Sequence, residues 1–92
     1  MVTDRFVITV IGVDTVGIVA GVTRVMSDFG VNIVDIRQTL MGDIFTMLMI
    51  GEVKNENFVL KDFQEQMAKT GGGLKVEIRV QHEDVFRYMH RI

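Results

Sequence analysis

From Arg5 to Ile11 the chain reads Arg-Phe-Val-Ile-Thr-Val-Ile, β-branched and aromatic, and the run stops at Gly12. Such a continuous apolar run predicts a strand buried on both faces, in the interior of a sheet. From Gly17 the period lengthens to that of a helix. Ile18, Val22, Val25 and Phe29, with Val19 and Met26 beside them, form one apolar stripe, while Thr23, Arg24, Ser27 and Asp28 face away. Gly30 ends that helix. Two further strands follow, about Ile33 to Met41 and Ile44 to Val53, joined by a Gly42-Asp43 turn. A two-residue turn pairs Leu40 with Phe45, Gln38 with Met47 and Ile36 with Met49 on one face. Ile33, Met41, Ile44, Leu48 and Ile50 then fall on the other, among Asp35, Arg37, Thr39 and Thr46. That second face is more apolar than a solvated surface requires, which implies a partner over it.

After the polar segment Lys54 to Asn57, a second helix is marked by Leu60, Phe63 and Met67, with Asn57 as its N-cap and Gly71-Gly72-Gly73 as its stop. The last strand alternates: Leu74, Val76, Ile78 and Val80 point inward, Lys75, Glu77, Arg79 and Gln81 outward, as on an edge with one wet face. The tail predicts a short helix, with Glu83 and Asp84 at its start, His90 and Arg91 at its end, and Val85, Phe86 and Met89 on its apolar side. The order β-α-β-β-α-β with short connections gives an α+β fold, a ferredoxin-like antiparallel sheet with both main helices on one face. Residues 4–82 form this domain and residues 83–92 a helical tail. With both helices on one side, the opposite sheet face has no intramolecular cover, and a homodimer or higher homo-oligomer is expected.

Composition narrows the function classes. The 92 residues, 48% hydrophobic and 24% charged, suit a single globular domain. Zero cysteine excludes disulfides, thiolate metal sites and cysteine nucleophiles, and fits a reducing compartment. A net charge of -2 and a pI near 5.6 leave no electrostatic footprint for nucleic acid. Neither a signal peptide nor a membrane span is legible, so the expected location is the cytoplasm. Proline is absent altogether.

The segment Gly12 to Val19 joins the first strand to the first helix and carries two glycines with an acid between them. Its Gly-x-x-x-x-Gly spacing lacks the Lys-[Ser/Thr] of a phosphate-binding loop, since Ile18-Val19 follows, and no dinucleotide fingerprint occurs. What it offers is a helix N-terminus, whose free N–H groups can hold a small carboxylate, with Gly17 letting a ligand approach. The same residues also read as plain structure: Gly17 starts the helix, Asp14 or Thr15 caps it, and Gly21 lets it lie close to the sheet. Asn32 either supplies donors and an acceptor to a zwitterion or serves only as a turn residue. His82 and His90 share no metal-ligand spacing. Asp35 and Arg37 suggest an ion pair, and Met47 and Met49 core filling. No nucleophile-base pair, metal set or cofactor fingerprint emerges, so no enzyme is expected and no cofactor. Other users of this fold order fail residue by residue: the open face lacks the aromatic pair of an RNA-recognition module, and the first loop lacks the Cys-x-x-Cys of a copper carrier or the arginine of an acylphosphatase.

Taken together, Phe6-x-Ile8-x-Val10-x-Gly12-x-Asp14-x-x-Gly17-Ile18-Val19, Phe29-Gly30-Val31-Asn32-Ile33 and Phe45-x-Met47-x-Met49 resemble the ACT domain, over about residues 4 to 82. Asp14-Thr15-Val16-Gly17-Ile18-Val19-Ala20 with Gln38-Thr39 and Phe45-Thr46-Met47 is similar to stand-alone, single-domain ACT proteins of the glycine cleavage system transcriptional repressor group. The resemblance implies dimers through edge-to-edge or face-to-face sheet pairing, with an amino acid bound where the first strand-helix loop meets a neighbouring subunit. Carried onto this chain, the ligand residues are Asp14, Thr15, Val16, Gly17, Ile18 and Val19, with Asn32 and Ile33 across from them. Many members carry proline just before the loop glycine, where this chain has Val16, so ligand binding must order a looser loop. The expectation is a regulatory module for amino-acid metabolism. It binds an amino acid or similar small carboxylate, and neither nucleic acid nor membrane directly. The alternative is a structural protein-protein interaction module with no small ligand.

Overall fold

The computed structural model describes residues 4–89. The elements run β1 (Asp4–Val13), α1 (Ile18–Asp28), β2 (Asn32–Met41), β3 (Ile44–Val53), α2 (Leu60–Leu74), β4 (Val76–His82) and α3 (Glu83–Met89). The four strands form one antiparallel sheet in the order β2-β3-β1-β4, the ferredoxin-like arrangement. Alternate residues of the two interior strands, Phe6, Ile8 and Val10 on β1 and Phe45, Met47 and Met49 on β3, are buried with Ile18, Val22, Val25 and Met26 of α1 and Phe63 and Met67 of α2. No polar side chain among the described residues is buried, so the interior is held by apolar area alone. Phe63 sits at the junction of the helices, with ring centroids 5.4 Å from Phe29 and 5.5 Å from Phe58.

The hairpin register is the one the two-residue turn dictates: Leu40 faces Phe45, Gln38 faces Met47 and Ile36 faces Met49. One residue of β2 departs from the alternation. A bulge between Ile33 and Asp35 leaves Val34 without an opposite number and sets Ile33 against Gly51. Gly51 lies against the core residues Val31, Met26 and Ile8. Ile33 therefore shares the helix-covered side with Ile36 and does not lie on the open face. β1 is an interior strand, but only part of its outer side is buried: Val7 is covered, while Ile11 and Val13 are 47% and 56% exposed.

The second helix differs from expectation at both ends. Asn57 is not its N-cap; its N–H is donated to Asn55 Oδ1 at 2.9 Å, and the helix starts after Val59, which is extended and caps through no side chain. Phe58, held 5.3 Å from Phe6, keeps this stretch out of the helix. Gly71, Gly72 and Gly73 lie inside α2, and the stop falls to Lys75 in the left-handed region at φ 59°. Gly71 is a packing residue, since a Cβ there would stand 2.7 Å from the Val76 carbonyl oxygen. Gly21 likewise serves a helix pair: a Cβ there would meet Leu74 Cδ1 at 3.0 Å, so it admits α2 and not the sheet. β4 is an edge strand with Val76 and Val80 inward. α3 packs on β1 and β4, with Glu83 and Asp84 in its first turn. The Met89 side chain, His90 and Arg91 lie outside the described residues.

Candidate functional site

The β1–α1 connection is short because β1 pairs to its last residue, Val13 with Ile44, and α1 begins five residues later. Asp14 is anchored by its backbone: its N–H donates to the Asp43 carbonyl at 2.8 Å, tying the loop to the β2–β3 turn. Thr15 donates its hydroxyl to the Val13 carbonyl at 3.3 Å. Neither residue caps α1. The N-cap is Gly17, at φ 94° and ψ 0°, a conformation that costs any L residue strain and glycine little. No side chain caps the helix, and the first bond within it runs from the Gly21 N–H to the Gly17 carbonyl at 2.8 Å. The N–H groups of Ile18, Val19 and Ala20 thus have no acceptor within the helix. Val16, where proline often stands in similar loops, is 98% exposed.

Beside this loop lies an open cavity of about 390 Å³ lined by Asp14, Val19, Gln38, Thr39, Leu40 and Phe45. Its walls combine one carboxylate, an amide and a hydroxyl with three apolar side chains. Unpaired amides suit a carboxylate, the Asp14 carboxylate suits an ammonium group, and Val19, Leu40 and Phe45 suit an apolar side chain. The β2 and β3 residues of this wall were not among the expected ligand residues. The turn already dictated that Phe45 pairs with Leu40, but the pairing of Phe45 with Gly12, which brings both strands to the loop, is seen only in the assembled sheet.

Asn32 and Ile33 lie elsewhere. They begin β2 and line a separate groove of about 340 Å³ with Thr23, Met26, Ser27, Gly30 and Val31. α1 separates them from the loop, and its 11 residues span about 16 Å. Within one chain the expected residues therefore form two groups, at opposite ends of α1 and of the edge strand β2.

A third open cavity, at the start of β1, is lined by Asp4, Arg5, Glu52, His82, Glu83 and Asp84. His82 stands edge-on to Phe6 at 5.4 Å, with Nε2 3.3 Å from Asp4 Oδ1 and Nδ1 accepting the Asp84 N–H at 3.1 Å. Glu52 is paired with Arg5 at 3.2 Å and Lys54 at 3.8 Å. Among the described residues no three His, Asp or Glu side chains are grouped to hold a metal ion. No helix there is long and apolar enough to cross a membrane.

Comparison with known proteins shows the family and the fold. A family model described as ACT domain matches residues 4–81. A UPF0237 protein of Methanosarcina acetivorans is 60% identical over 92 residues, covering 100% of both chains. Among solved structures, an ACT domain protein from Streptococcus pneumoniae is 34% identical with a TM-score of 0.78, over 90% of this chain and 93% of that one. A candidate glycine cleavage system transcriptional repressor is 27% identical with a TM-score of 0.77, over 89% of this chain and 47% of the longer protein. ACT domains are typically regulatory, ligand-binding modules. Fold, family model and full-length relative agree: this chain belongs to the ACT domain family.

Proposed function

We propose that this chain is a non-catalytic, cytoplasmic regulatory module that binds an amino acid or a similar small carboxylate at a homodimer interface and so controls a step of amino-acid metabolism. The observation that carries this reading is the uncapped N-terminus of α1 beside a cavity holding one carboxylate and an apolar wall. The ligand carboxylate accepts from the free N–H groups at Ile18 to Ala20, and its ammonium group faces Asp14.

The split between the loop and Asn32 is what an interface site requires. β2 is an edge strand with exposed Ile33, Val34, Leu40 and Met41, an unpaired ladder that invites a second strand. Antiparallel pairing of β2 with β2 of a second copy lays the start of one strand beside the end of the other. Asn32 and Ile33 of one copy then approach the loop of the other, and each dimer holds two equivalent sites. Ligand bound there contacts both copies, so occupancy and association are linked, which makes the module allosteric.

Isothermal titration against the common amino acids tests this reading. A ligand that binds the native chain and is lost in Asn32→Ala supports it. No binding by any of them removes the small-molecule role and leaves an interaction module, a role that the exposed sheet face would serve by itself.

A further inference from the structure

α2 ends against the preference of its own residues. Gly71, Gly72 and Gly73 fill its last turn, where glycine is a poor helix former, and the chain closes instead on Lys75, at φ 59° and ψ 39°. Among the described residues Lys75 is the one non-glycine with a positive φ. Packing against Val76 and Ile78 accounts for Gly71, but an added Cβ at Gly72 or Gly73 would stand in open space. Both ends of the turn are fixed. Gly71 packs on the Val76 carbonyl, and Val76 begins β4 paired with Gly12. A single residue therefore joins helix to strand, and Lys75 must make the left-handed turn. Its N–H reaches the Gly72 carbonyl only at 3.4 Å.

We propose that α2 has a second end, two residues earlier, at which the helix closes on Gly73 while Leu74 and Lys75 form an extended link to β4. Glycine enters the left-handed region without the strain of an L residue, so this end relieves Lys75 and frees Gly73 from the helix. Against it stand the lost hydrogen bonds of the last residues and the lost contact of Leu74 on Gly21, where Leu74 Cδ1 lies 3.0 Å from the place of a Cβ. These opposing contributions are of similar size, which keeps the second end populated as a minor state. Three residues span about 10 Å extended against about 4.5 Å wound, so β4 need not move.

The moving turn touches both sides of the candidate ligand loop. Val76 packs on Gly12, just before the loop, and Leu74 on Gly21, whose N–H makes the first hydrogen bond of α1. Unwinding lifts Leu74 from Gly21 and loosens the turn that carries the N–H groups of Ile18, Val19 and Ala20. On the ligand reading above, on which this last step rests, a carboxylate held by those groups and the wound end of α2 favour each other.

NMR relaxation dispersion on the unliganded full chain tests the second end. Millisecond exchange is expected at Gly73, Leu74, Lys75 and Gly21, with the Cα shift of an extended residue for Lys75 in the minor state. Gly73→Ala strains only the earlier end and is expected to cut the minor population about tenfold. Lys75→Gly relieves the observed end and is expected to cut it about fivefold, whereas Gly72→Ala, helical at both ends, changes it by less than about twofold. No exchange at these residues, or equal effects of Gly72→Ala and Gly73→Ala as simple fraying gives, overturns the proposal. Exchange that spares Gly21 overturns the connection to the loop. Calorimetry keeps the ligand reading separate: an amino acid that binds and leaves the exchange unchanged overturns the coupling, and absence of binding overturns the ligand reading alone.

Discussion

The Asp14 N–H donates to the Asp43 carbonyl at 2.8 Å, so the candidate ligand loop hangs on the β2–β3 turn. That turn depends on Gly42 at φ 62°, which no β-branched residue adopts without strain. Gly42→Val is expected to cost about 1–2 kcal/mol of stability and to release the loop. Amide hydrogen exchange checks this: the Asp14 N–H is slow in the native chain and fast in the variant.

Neighbouring glycines of α2 carry opposite predictions. Gly71→Ala pushes a methyl group to 2.7 Å from the Val76 carbonyl oxygen, and backbone cannot move aside as a side-chain end can. It is expected to destabilise by about 1–3 kcal/mol. Gly72 has no atom within 4 Å of an added Cβ, and Gly72→Ala is expected to stabilise by about 0.5–1 kcal/mol. Urea denaturation of the two single variants reads both signs.

Phe63 is fully buried and bridges Phe29 and Phe58. Phe63→Ala is expected to cost about 3–5 kcal/mol, a large share of the 5–15 kcal/mol that holds a domain folded. Phe63→Leu keeps most of the volume and is expected to cost less than half as much. Thermal unfolding of the pair separates volume loss from ring contact.

Most of the fold was legible because its signals are local. The two-residue turn at Gly42-Asp43 fixes the Ile36–Met49 pairing, and the helical period from Ile18 to Phe29 shows which side of α1 is buried. What escaped depends on contacts between distant residues. The bulge that returns Ile33 to the helix side has no signature in a period of two. Gly71-Gly72-Gly73 reads as a helix stop because glycine is a poor helix former, yet the approach of β4 to α2 demands a glycine at Gly71. Gly21 answers to Leu74, which is 53 residues away in the chain. At the candidate site the loop from Asp14 to Val19 was legible as a helix start. Gln38, Thr39, Leu40 and Phe45 joined it only through the sheet register.

The central claim is that one binding site is built from the loop of one copy and Asn32 of another. Two variants test it together: Gly17→Ala, which strains the loop at φ 94°, and Asn32→Ala. Each alone is expected to lose amino-acid binding in calorimetry. Refolded together in equal amounts, they form mixed dimers in which one site regains both native groups, so binding returns to about a quarter of the native site count. Mixtures as silent as the separate variants, beside a native chain that binds, would place the site within a single copy and contradict the account.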